Sequence, residues 1–220
     1  MGNLSKILKN ECDPRLQGEL SYSLKEAYRF LDELIKSNPV LQNKEMKKSY
    51  GHIRQALVDV ALKLVLKNSN LPSKVIMSPA KNNVNGYTYT MIETKGAIIS
   101  PVKTRSQKDM PKKALYRSTA SIKNAQFDLF TTEEDLNKLY DKDTPPFILL
   151  TYGGKNHKLQ FIELGLPDVK NEKWIEKVDI YNAPRLIIGK AEETRKELDL
   201  SLTRLSEELL RGISDGTQQN

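Results

Sequence analysis

Cysteine is almost absent from this sequence. Cys12 is the only one, so no disulfide can form within the chain and thiol-rich zinc modules are excluded. Histidine is nearly as scarce: His52 and His157 lie far apart in the chain, so only tertiary coincidence could make them a metal pair. No apolar run approaches the roughly 18 residues needed to cross a bilayer. The start, Met1-Gly2-Asn3-Leu4-Ser5-Lys6, lacks the apolar stretch of a secretory signal, and Lys6 stands where a myristoylation signal requires Ser or Thr. These absences lead to the expectation of a cytoplasmic protein with no membrane partner. There is no Gly-x-Ser-x-Gly and no glycine-rich loop ending in Gly-Lys-Ser/Thr, and Gly153-Gly154 sits in turn chemistry between two apolar runs. Serine hydrolase, phosphate-loop and dinucleotide chemistries are set aside on that ground.

What the chain does have is enough apolar material for a core and an excess of positive charge. Hydrophobic residues make up 38% and charged residues 29% of 220, which suits one packed domain with a helical extension. Thirty-five Lys and Arg against 28 Asp and Glu give a net charge of +7, an excess that attracts anionic partners such as nucleic acid or an acidic protein.

Residues 1–20 mix charges with Asp13-Pro14 and Gly18 and read as a loosely held, flexible arm. Ser23-Leu24-Lys25-Glu26 has capping-box spacing, and Leu24, Ala27, Tyr28, Leu31, Leu34 and Ile35 form one stripe of a helix ending near Asn38-Pro39. A second helix over about 43–67 puts Met46, Tyr50, Ile53, Leu57, Val60 and Leu64 on one face and leaves Lys47, Lys48, Arg54 and Lys63 to solvent or a partner. The period then becomes that of strands: a short one at 75–77, a hairpin of 87–94 and 97–103 across Lys95-Gly96, and a second hairpin of 147–152 and 159–164 around Gly153-Gly154-Lys155-Asn156. A last strand is expected at 178–181. Met110-Pro111 opens an expected helix over 110–126, and Glu133, Glu134 and Asp135 mark the first turn of another at 132–140.

The fold class that follows is α+β: an N-terminal helical hairpin packed on an antiparallel sheet of four to six strands, with inserted helices and a long C-terminal helix. The domain spans 21–188, the amphipathic C-terminal helix 189–213, and 214–220 form a mobile tail. In that helix Ala191, Leu198, Leu202, Leu205 and Leu209 share a seam. The seam serves self-packing, or self-association and a regulatory-subunit role through residues 190–211.

Two stretches carry possible chemistry. Lys103, Arg105, Lys108, Lys112, Lys113, Arg117 and Lys123 face one acid, Asp109, and are interleaved with Tyr116, a pattern able to neutralise several phosphates. The leading expectation is a non-enzymatic binding protein contacting nucleic acid or an acidic partner there, without cofactor or metal. The alternative is a nuclease dependent on Mg or Mn, with Glu93 as metal ligand and Lys95 as charge stabiliser in Glu93-Thr94-Lys95. Ser78-Pro79 stands where that pattern wants its other acid, so Glu26 or Asp59 would have to supply it.

Met110-Pro111 with Ala114-Leu115-Tyr116-Arg117, then Leu149-Leu150-Thr151-Tyr152-Gly153, Leu164-Gly165-Leu166-Pro167-Asp168 and Trp174, resemble a poorly characterised family of Bacillota and phage proteins over residues 86–183. The resemblance implies a phage or mobile-element setting and carries no catalytic residues with it; the binding-protein expectation extends to a role associated with phage or host defence.

Overall fold

A computed structural model describes residues 2–79, 88–127, 145–155, 157–186 and 191–217. The fold is α+β. Helices α1 (Asn3–Asn10), α2 (Leu16–Ser37), α3 (Pro39–Gln42) and α4 (Tyr50–Asn68) precede strands β1 (Ser73–Pro79), β2 (Thr88–Thr94) and β3 (Ile98–Lys103). Helix α5 (Leu115–Ser121), with a 3-10 turn at Ile122–Phe127, leads to β4 (Phe147–Gly153), β5 (Phe161–Pro167), β6 (Trp174–Asp179) and the long α6 (Ala191–Thr217). The helix expected at 132–140 lies outside the described residues.

The six strands lie side by side in chain order. All neighbours are antiparallel except β3 and β4, which run parallel from Ile98↔Phe147 to Lys103↔Tyr152, so the expected antiparallel sheet is mostly but not wholly that. Every residue of β4 and β5 is buried, as befits central strands covered on both faces. One face places Ile92, Ile99, Ile148, Leu150, Ile162 and Leu164 in the main core with α2 and α4, and the other gathers Ile98, Phe147 and Leu149 beneath Ala120 and Trp174. Asn124 pins this second layer down, donating to the carbonyls of Phe147 and Pro167 at 2.8 Å and accepting from Phe147 N–H at 2.9 Å.

Four sequence expectations need correction. Residues 3–10 are a helix, not part of a loose arm: Leu4, Ile7 and Leu8, at helical spacing, are buried, and Glu176 of β6 accepts from the free Leu4 N–H at 2.8 Å. Ser23 does not cap a helix, because α2 begins seven residues earlier, at Leu16, and the Ser23 hydroxyl donates to the Glu19 carbonyl within it. Arg54 does not face solvent: its residue is only 9% exposed. The expected helix at 110–126 shortens to α5 and the 3-10 turn, with Pro111 in extended chain before it. The C-terminal seam packs internally. Leu198 and Leu202 are fully buried, with Leu205 and Leu209 against the same core that α2 and α4 contribute to.

Candidate functional site: a cationic cavity at a break in the sheet

The ladder between β2 and β3 is two residue pairs long, Ile92↔Ile99 and Glu93↔Ile98, whereas β3 stays paired with β4 to its end. Proline explains the difference. Ile98 N–H donates to Pro146 and Thr104 N–H to Tyr152, both on the β4 side, so alternation turns the amide position of residue 101 towards β2. Pro101 has no N–H to give there, and the ladder ends.

Beside that break lies a cavity of about 320 Å3. Helix α4 and the turn before it line it with Lys48, Gly51, His52, Arg54, Gln55 and Asp59; β2 with Tyr89 and Thr90; β3 with Pro101, Val102 and Lys103; β4 with Tyr152; and α5 with Tyr116 and Arg117. Tyr89 and Tyr116 stack with ring centroids 3.9 Å apart and planes 11° from parallel.

Two of the lining arginines are buried, Arg54 at 9% and Arg117 at 8% exposure. Arg117 donates to the Tyr116 hydroxyl at 2.7 Å and to the Lys112 carbonyl, while its buried Nε has no partner. Arg54 lies over the ring of Tyr28, 5.8 Å from its centroid. Among the described residues neither arginine meets a carboxylate within ion-pair distance.

The surrounding charge is felt by its neighbours. Partial desolvation, then the charges of Arg54 and Arg105, hold the Lys103 ammonium below the ordinary lysine value. Burial, then Arg54, Lys103 and Lys47, push His157 down as well; its ring meets Tyr50 edge-on at 4.7 Å. Asp59, the one acid among the lining residues, accepts from the Thr90 hydroxyl at 2.7 Å, and burial raises its carboxyl above the usual range. Burial also pushes the Tyr28 phenol up to about 12. Lys103 therefore sits in the field of Arg54 and Arg105, and His157 in that of Arg54, Lys103 and Lys47, while Arg117 lines the same cavity.

The structure divides the seven cations singled out in the sequence. Lys103 and Arg117 line the cavity and Arg105 lies within electrostatic range of Lys103. Lys113 is paired with Glu172 at 2.8 Å. Lys108 and Lys112 are exposed in the 104–114 segment and Lys123 is half-buried in the 3-10 turn, and none of the three lines the cavity. The sequence missed the α4 half of the site. Its signal was the positive face of that helix, but nothing in the spacing told that Arg54 would turn inward.

Glu93 and Lys95 gather no further acid of the expected kind. Both are exposed, and Glu93 sits opposite Lys74 in the β1–β2 ladder. Asp59 meets Thr90, whose side chain alternates to the opposite face of β2 from Glu93, and Glu26 is tied to Arg29 at 2.8 Å. Among the described residues no three His, Cys, Asp or Glu side chains cluster as metal ligands.

No family model, curated protein or solved structure matches this chain. The site therefore rests on its own chemistry: recessed, permanent positive charge, a stacked aromatic pair on the wall, and a hydroxyl and a carboxyl at hydrogen-bonding reach.

Proposed function

We propose that this is a non-enzymatic nucleic-acid-binding protein whose cavity beside the β2–β3 break takes the phosphates of a single strand. The observation that carries the reading is the pair of buried arginines, Arg54 and Arg117, lining one cavity with no carboxylate among the described residues at ion-pair distance from either. A buried charge without a partner costs several kcal/mol, about 3–5 when a pair is broken, so a protein that retains two has a use for them. Guanidinium forks suit phosphate oxygens, which they bind bidentately. Lys47, Lys48, Lys103 and Arg105 extend the positive field at the surface, and the Tyr89–Tyr116 stack offers a π-face to an unpaired base. The cavity is too small for a duplex. A phage or mobile-element setting belongs to the same reading, on the resemblance over residues 86–183.

The test is binding of a labelled single-stranded oligonucleotide, as DNA and as RNA, followed by fluorescence anisotropy across a salt series. Neutralising about five phosphates gives a log–log slope of about −3.5 for a single strand. The informative variant is Gly51→Glu. A Cβ built on Gly51 meets only Arg54 Nη2, at 4.0 Å, so the new carboxylate fits beside the guanidinium and answers its charge. Replacing a helical glycine also favours the fold, by about 0.5–1 kcal/mol. Binding should fall by at least about tenfold while the melting temperature holds or rises. Undiminished binding by Gly51→Glu, or a flat salt response, removes the proposal.

A further inference from the structure

We infer that the cavity recognises a terminal phosphomonoester, the phosphorylated end of a strand, rather than phosphodiesters along its length. The inference rests on the nucleic-acid reading above and makes it specific. Its basis is where the charge lies. The guanidinium groups that lack acidic partners among the described residues belong to residues more than nine-tenths buried, at the cavity wall, not on an open face. An internal phosphodiester carries a sugar on each side and reaches a recessed group only if the strand doubles back. A terminal phosphate has one free side and enters end-on.

Charge count points the same way. A phosphomonoester carries about −1.5 to −2 at neutral pH, while each internal phosphate carries a single negative charge. Arg54 and Arg117 are both permanently cationic, so the pair matches the dianion. Lys103, an exposed residue of the lining, and Arg105 beside it lie where the following diesters would emerge. The cavity is also more than an anion hole. Asp59 spends one oxygen on the Thr90 hydroxyl, and its Oδ2 accepts no bond from the described residues, leaving an acceptor for a sugar hydroxyl or a base amino group. At about 320 Å3 the space lies at the small end of ligand pockets, enough for the last nucleotide of a strand.

The experiment is competition against one labelled single strand by four unlabelled probes: a 5′-phosphorylated oligonucleotide, its 3′-phosphorylated isomer, the same sequence with both ends hydroxyl, and a nucleoside 5′-monophosphate. One phosphorylated end should compete at least about tenfold better than the hydroxyl-ended strand. That preference should vanish in Gly51→Glu, with folding verified by circular dichroism. A preferred 5′ or 3′ isomer fixes the polarity, and effective competition by the monophosphate supports recognition of the end itself. Equal competition by all three oligonucleotides, with Gly51→Glu weakening them alike, overturns end recognition and leaves strand binding intact. If no strand binds the unaltered protein, both readings fall.

Discussion

Arginine is buried in two quite different ways in this molecule. Against α2, Arg185 from the segment after β6 donates through Nε to both oxygens of Glu19 at 3.1 Å and lies 3.7 Å over the ring of Tyr22, and Glu19 is itself buried. Arg29, more exposed, receives three carboxylates, from Glu26, Glu33 and Asp199. At the β2–β3 break, Arg54 and Arg117 receive none from the described residues. The chain has 28 acids to place, and it spends three on an arginine that water already helps to solvate. Charge buried against α2 is matched from within the chain, whereas the described residues leave the charge at the cavity unmatched, and an anionic ligand of the kind proposed would supply the missing partner.

Opposite signs of stability change on the two sides are the sharpest way to break this comparison, and they should be the largest effects. Glu19→Ala strands Arg185 against α2 and should cost about 3 kcal/mol, read from urea unfolding. Arg54→Met removes a buried charge that has no partner while keeping an unbranched apolar stem of similar reach, and should gain about 1 kcal/mol while binding is lost. Were both variants destabilised to the same degree, Arg54 would be an ordinary structural cation and the contrast would disappear.

A smaller effect comes from the crowding of positive charge around His157. Burial, Arg54, Lys103 and Lys47 hold its folded-state pKa below the unfolded value near about 6.5. Above that pH the imidazole is neutral in both states and contributes nothing to pH dependence. As pH falls through it, the unfolded chain gains a proton that the folded protein does not, so stability drops until the folded pKa is reached. His157→Asn, which tolerates the left-handed backbone found there (φ 61°), should flatten this acid limb below about pH 6.5. A polyanion in the cavity should flatten it too, by cancelling the field. An acid limb identical in the variant would mean that the cations do not act on this histidine.

The two regions differed in legibility as much as in chemistry. Helices α2 and α4 and the strands of both hairpins announced themselves through period, because their burial is one-sided or bounded by turns. Helix α1 did not: its stripe of Leu4, Ile7 and Leu8 is one turn long, and its N-terminus is satisfied by Glu176, a residue from the other end of the chain. The parallel β3–β4 pair was hidden as well, since each strand also belongs to an antiparallel neighbour. In the candidate site, Lys103, Arg105 and Arg117 were visible as a local run of charge. Arg54 was assigned to solvent because it flanks the apolar stripe of α4, and its burial depends on Tyr28 and the strands beside the β2–β3 break, which no local pattern encodes. Pro101 was readable as a strand residue, but not as the reason a ladder ends, because that requires knowing which neighbour its missing N–H would have faced.

The smallest effect is expected where matched charge is most plentiful. Asp199, half-exposed on α6, reaches Arg29 at 2.6 Å, but Glu26 and Glu33 hold the same guanidinium from its own helix. Asp199→Ala should therefore cost no more than about 0.5 kcal/mol, and less in high salt, because an exposed pair in a shared network is worth little. What fastens α6 is the apolar side of the helix, Leu198 and Leu202, both fully buried. If urea unfolding instead shows a loss above about 2 kcal/mol for Asp199→Ala, a magnitude belonging to buried pairs, then the ion network, not the leucine seam, holds the C-terminal helix. In that case the surplus carboxylates around Arg29 are structural necessities, and the lack of any from the described residues around Arg54 no longer points to a ligand.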